Sequence, residues 1–145
     1  MLSKDEWISS LIKLGFVKDI SSRTDGSHIR FYHTEYPNLF AGIDDHKNTK
    51  EMNIKIHKDL IQSVTMLVWI KSKDENGNID INKAKEITKK LPKELKTEII
   101  KKLKDFEKEK INLLLKIIPK RLLAEMGKIS PQITEQDILK YIKSN

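Results

Sequence analysis

Apolar residues at Trp7, Ile8, Leu11, Ile12 and Leu14 recur at the spacing of a helix with one covered face. The run Ser3-Lys4-Asp5-Glu6 before them is a capping box, and Gly15 sits where a left-handed C-terminal cap belongs. A helix is predicted over 4–14. The period then changes to two. Phe16, Lys18 and Ile20 alternate with Val17 and Asp19, which predicts a strand over 16–21. Asp25-Gly26 is a hairpin signal. A return strand over 27–33 sets Ile29 and Phe31 on one face and His28, Arg30 and Tyr32 on the other. The turn Tyr36-Pro37-Asn38 leads into a third strand over 39–44, with Leu39, Ala41 and Ile43 on a common face. A polar stretch over 45–52 follows. Asn53 can cap a second helix marked by Ile56, Leu60, Val64 and Leu67. Residues 64–71 also fit a strand pairing with 79–81; a helix running into the Trp69 region is the preferred reading.

The remainder reads as helix. Asp74-Glu75-Asn76-Gly77-Asn78 is a turn; its glycine falls at the fourth position, whereas a calcium loop needs it at the sixth. A helix starting at Asp80 or Asn82 ends before Pro92, which suits the first turn of the next. That next helix carries Leu95, Ile99, Leu103, Phe106, Leu113 or Leu114, and Ile117 at near-heptad spacing, interrupted by Lys110, and shows Lys96, Lys101, Lys104 and Lys108 on its other side. Pro119 ends or kinks it, 120–126 continue as helix to a Gly127 cap, and Thr134 caps a last helix over 135–142. The chain is thus expected to be α+β, an α/β module over 1–72 followed by a basic helical extension over 73–145. The apolar stripe of the extension is too large to leave in water. It is expected to be buried, most simply within the chain, with pairing to a second copy as a homodimer the other way to cover it.

Composition narrows the chemistry. The 145 residues contain no cysteine, which excludes disulfides, Cys-ligated zinc, iron–sulfur clusters and a cysteine nucleophile. The N-terminus lacks a basic and then apolar leader, and the longest apolar run, Met66 to Ile70, falls far short of the roughly 18 residues a spanning helix needs. A cytoplasmic protein without membrane insertion is expected. The net charge is +7, with 28 basic and 21 acidic residues. Nine of each lie in 1–64, so the whole excess belongs to the second half. Either a polyanionic partner, nucleic acid first, or a lysine-rich solvated surface accounts for that asymmetry.

His28 follows Gly26-Ser27 at the opening of the second strand. An imidazole titrating near about 6.5 both takes and gives protons at neutral pH. RNA brings its own nucleophile, the 2′-hydroxyl, so one histidine and a phosphate-binding cation suffice for slow, metal-independent cleavage. Arg30 shares the strand face and can meet a phosphate. Tyr32 can stack on a base, and Gly26 and Ser27 offer backbone and hydroxyl donors. Lys47 is a further phosphate contact; His46 can be a second acid–base group or phosphate contact, but fits an ordinary polar loop histidine better. His33 is expected to serve structure rather than chemistry, and His57 to lie at a helix surface. Asp44, Asp45 and His46 are adjacent in sequence and do not make a metal site. No Gly-rich phosphate loop or nucleophile elbow occurs, and no cofactor is expected.

Gly15-Phe16 closing the first helix, Gly26-Ser27-His28 opening the second strand, His46-Lys47 after the third, and the closing helical segment 56–64 together resemble the HicA-type toxins of bacterial toxin–antitoxin modules. The resemblance spans residues 3–64. It implies a double-stranded-RNA-binding-like fold, cleavage of messenger RNA with His28 as the catalytic residue, and an antitoxin partner that occludes that histidine. The net-neutral module and the added helices favour an alternative: a non-catalytic inhibitor from a mobile element that grips a nucleic acid or a protein with the same fold.

Overall fold

The computed structural model describes residues 2–20, 28–44, 54–115 and 134–143. Within them the chain runs α1 (Lys4–Lys13), β1 (Phe16–Lys18), β2 (His28–His33), β3 (Phe40–Asp44), α2 (Ile54–Lys71), α3 (Ile81–Ile87), α4 (Lys93–Leu115) and α5 (Glu135–Lys143). The fold is α+β, with one antiparallel sheet in the order β1-β2-β3. No helix among the described residues is long and apolar enough to cross a membrane.

Local chemistry fixes most helix starts. Ser3 Oγ accepts from the Glu6 amide at 3.2 Å, and the Glu6 carboxylate accepts from the Ser3 amide at 3.1 Å. Each bond satisfies a group the first turn would otherwise leave unpaired, and such a cap contributes about 1 kcal/mol. Leu2 and Trp7 hold the staple positions on either side of the cap, and both are buried in the core. Asp80 caps α3 by accepting from the Asn82 and Lys83 amides. Thr134 caps α5 with Asp137 answering it, a second reciprocal pair. Asp74 accepts from the Asn76 and Asn78 amides, and Gly77 adopts a φ of 80°, which makes this segment a turn.

One strand boundary differs from the alternation, and the helix preferred for the Trp69 region is the element found. β1 ends at Lys18; one further bond, from the Asp19 amide to the Arg30 carbonyl at 2.8 Å, closes the pairing, and Ile20 is 92% exposed. An apolar residue in phase with Phe16 thus has no layer to pack against. The segment 64–71 is helix throughout, and the pairing considered for 79–81 survives as a single bridge, Lys73 to Ile79.

The core is organised around α2. Val64 through Trp69 are six consecutive buried residues. At about 100° per residue six positions circle the helix more than once, so α2 is covered on all sides over residues 64–69. It packs against β3 and against α4, with α3 alongside. Ser63 Oγ donates to the Phe40 carbonyl at 2.9 Å, fastening helix to sheet. Trp69 meets Phe106 of α4 at 5.0 Å between ring centroids. The predicted stripe of α4 is buried as far as its side chains are described: Leu95, Ile99, Leu103 and Phe106 are each at most 2% exposed. The side chain of Leu114 and residue Ile117 lie outside the described residues. One hydrophobic cluster runs from Leu2 and Trp7 through the sheet and α2 to Leu103 and Ile142, crossing residue 72 without a break. α5 is tied down at both ends. Lys73 pairs with Glu135 at its start while lying 3.7 Å over the Trp69 ring, and Asn38 donates from side chain and backbone to the Tyr141 and Ile142 carbonyls at its end.

Gly15 joins α1 to β1 at a φ of 97°, where a side chain is strained. A Cβ there would also stand 2.8 Å from Nε2 of the buried His33 ring. Gly15→Ala is therefore expected to lose at least about 2 kcal/mol of stability, backbone strain and overpacking adding together. Urea denaturation reads this as a lower midpoint at unchanged slope.

Candidate nucleic-acid interface

The side chains of a strand point alternately to its two faces. In β2, Phe31 and His33 point into the core, so His28, Arg30 and Tyr32 occupy the positions of the opposite face. The register sets His28 against Asp44, Arg30 against Gly42 and Tyr32 against Phe40. Residues paired across an antiparallel ladder share a face. The ladder therefore carries an imidazole position beside a carboxylate position at one end and two aromatic residues at the other. Of His28 and Asp44 the backbone alone is described.

The middle of this face is specified in atomic detail. The Arg30 guanidinium lies 3.7 Å over the centroid of the Phe40 ring, a cation–π contact. Its Nε stands 4.0 Å from an Asp19 carboxylate oxygen. Held between ring and carboxylate, the Arg30 side chain is still 45% exposed, so its remaining donors face solvent. Arg30, Tyr32, Phe40, Asp19, Ile20 and Pro37 line an open groove of about 490 Å³. The far wall is the Pro37-Asn38 turn, which the Asn38 bonds to α5 hold in place. A half-exposed guanidinium flanked by a tyrosine and a phenylalanine offers charge for a phosphate and flat surfaces for bases.

The sequence-predicted residues divide into two sets. Arg30 and Tyr32 share the open face as the alternation requires, and the His28 backbone lies in register with them. Gly26, Ser27, His46 and Lys47 lie outside the described residues. Phe40 and Asp19 were missed. Phe40 carries a readable signal: it is an aromatic residue out of phase with Leu39, Ala41 and Ile43. Asp19 carries none, because its approach to Arg30 depends on the β1–β2 register.

His33 and His57 are structural. His33 is buried; its Nε2–H donates to the Leu14 carbonyl at 2.8 Å, and its Nδ1 accepts from the Glu35 amide at 3.0 Å. Phe16 meets the ring edge-on. This imidazole ties the end of α1 to the end of β2, in agreement with the role expected for it. The surface position expected for His57 is corrected. His57 is 8% exposed, packs edge-on against Trp7 at 5.5 Å, and reaches Glu98 of α4 at 3.6 Å. The helix-surface reading failed because α4 covers the side of α2 that the local pattern leaves polar. Among the described residues no group of three or more His, Cys, Asp or Glu could hold a metal ion. Comparison with protein families, with curated proteins and with solved structures gave no match.

Burial holds the His33 imidazole below its ordinary value of 6.5; the Leu14 carbonyl and Glu35 oppose the shift, and Lys71 adds to it. The unfolded chain thus protonates this residue more readily than the folded one. Its contribution to stability is complete above about pH 6.5 and is lost as the pH falls from there toward the folded value. Denaturant midpoints measured between neutrality and pH 5 are expected to decline for the wild type and to decline less for His33→Gln.

Proposed function

We propose that the open sheet face binds RNA and that the chain is a toxin-like ribonuclease of the HicA type, with His28 as general acid and base. The observation that carries this reading is the shared face of His28, Arg30 and Tyr32 on β2, with no described helix packed over Arg30. The α-β-β-β-α order, with helices on one side of an antiparallel sheet, supports a double-stranded-RNA-binding-like assignment. In this reading Arg30, supported on the Phe40 ring, holds the phosphate together with Gly26, Ser27, His46 and Lys47, while Tyr32 receives a base. The 2′-oxygen attacks phosphorus, the bond to the 5′-oxygen breaks, and a 2′,3′-cyclic phosphate forms. His28 takes the proton from the 2′-hydroxyl and returns it to the leaving 5′-oxygen. No metal takes part. The backbone register pairs residue 44, an aspartate, with residue 28 across the ladder. An antitoxin that covers this face would silence the protein.

A second reading rests on Asp19. A carboxylate beside the only arginine of the described face balances its charge, which suits a non-catalytic module that grips a mixed-charge protein or nucleic-acid surface. The two readings separate in one set of measurements. Wild type and His28→Ala are expressed in cells with growth and RNA integrity followed, and the purified proteins are incubated with RNA in the presence of a chelator. Cleavage by the wild type is expected to fall by about 10²–10⁴ in His28→Ala. RNA binding is expected to survive that change and to weaken in Arg30→Ala and Phe40→Ala, each by about tenfold. Intact RNA with the wild type rejects the nuclease; if binding to RNA persists in that case, the second reading stands.

A further inference from the structure

The positive charge of the second half is not spread evenly. Lys85 of α3, and Lys93, Lys96, Lys101 and Lys104 of α4, converge on one open groove of about 880 Å³. None of the five makes an ion pair with another described residue. Their floor is apolar: Leu91, in the α3–α4 connection, and Ile100, which is only partly buried. The lysine stems add methylene surface above that floor. Five ammonium groups without an ion-pair partner among the described residues repel one another around an apolar trough, and a ligand that brings carboxylates to the rim and apolar side chains to the floor relieves both conditions.

We propose that this α3–α4 groove docks an acidic amphipathic helix of a partner protein. Charge complementarity selects the occupant. A second copy of the chain carries a net +7 and is repelled. Residues 116–133 hold four basic residues and one acidic residue and have the wrong sign as well. Single-stranded nucleic acid is matched in charge but not in surface, because the groove contains no aromatic ring on which a base could stack, unlike the face around Tyr32 and Phe40. An acidic helix presents apolar residues at i, i+3, i+4 and i+7 with carboxylates flanking them, which fits a trough with a lysine rim. This site is separate from the sheet face, and it stands whether or not His28 cleaves RNA.

The test uses the full chain and a fluorescein-labelled synthetic peptide of about 18 residues with leucines at those spacings and glutamates elsewhere. Fluorescence anisotropy at low salt measures its affinity. Lys101→Glu/Lys104→Glu is expected to weaken binding by about tenfold or more, while Lys58→Glu/Lys140→Glu, an equal change in net charge on other helices, leaves it within about twofold. A peptide of the same composition with its leucines scrambled off the common face is expected to bind about tenfold less tightly. Equal losses in both lysine pairs, or equal binding of the scrambled peptide, overturn the proposal in favour of diffuse attraction. Stoichiometric displacement of the peptide by polyuridylate from the wild type, abolished in Lys101→Glu/Lys104→Glu, overturns it in favour of a nucleic-acid groove. Circular dichroism of each variant confirms that these exposed lysines are changed without loss of helix.

Discussion

The burial of residues 64–69 of α2 from every direction is the constraint on which the rest of the structure depends. A helix with six consecutive buried residues cannot stay at a surface, and it needs an apolar neighbour on each side. The sheet supplies one, through Leu39, Ala41, Ile43 and Phe31; α4 supplies another, through Leu95, Ile99, Leu103 and Phe106. Each large side chain so covered contributes about 1.5–3 kcal/mol relative to exposure, enough that neither wall can be removed without leaving a marginal fold. The second half of the chain is therefore part of the packing that holds the sheet, and α5 adds to it by closing on the Asn38 turn and on Lys73.

This arrangement also decides which surfaces remain for binding. Helices occupy one side of the three-stranded sheet, so the alternation of β2 and β3 delivers Arg30, Tyr32 and Phe40 to the other side. Arg30 is held in place from below by an aromatic ring and from the side by Asp19, which limits the freedom it would lose on meeting a phosphate. On α4 the same logic applies with helical spacing. Its Leu/Ile/Phe stripe turns to α2, and the lysines between those positions are turned outward, where α3 lies close enough to complete a trough. The two polar surfaces differ in kind: one joins charge to aromatic rings, the other joins charge to aliphatic surface.

The histidines show how unevenly a site can be read from a sequence. His33 was legible as structural because it shares the phase of Ile29 and Phe31. His57 was not, because its burial comes from Trp7, fifty residues earlier, and from Glu98, forty-one later. The face of His28, Arg30 and Tyr32 followed from period two alone. The partners of that face, Phe40, Asp19 and Asp44, required the strand register, which a hairpin of unspecified length does not supply. The strand over 16–21 was read too long for a related reason: alternation marks where a strand can run, and pairing stops when the neighbouring strand no longer offers groups to bond.

By itself the sequence determined what short-range physics controls. The Ser3-Glu6 box, the Asp80 and Thr134 caps, the Asp74 turn and the glycine ending α1 are hydrogen bonds and backbone preferences within a few residues, and each stands where its residues predict. The apolar stripe of α4 and the two faces of β2 are periodicities, equally local. Only the tertiary structure decided what those faces meet. That α2 has two covered sides, that β1 stops at Lys18, that Arg30 rests on Phe40, and that lysines from two helices share one groove are outcomes of contacts between segments distant in sequence. Burial is a property of the neighbour as much as of the residue, and the chain names its neighbours only when it folds.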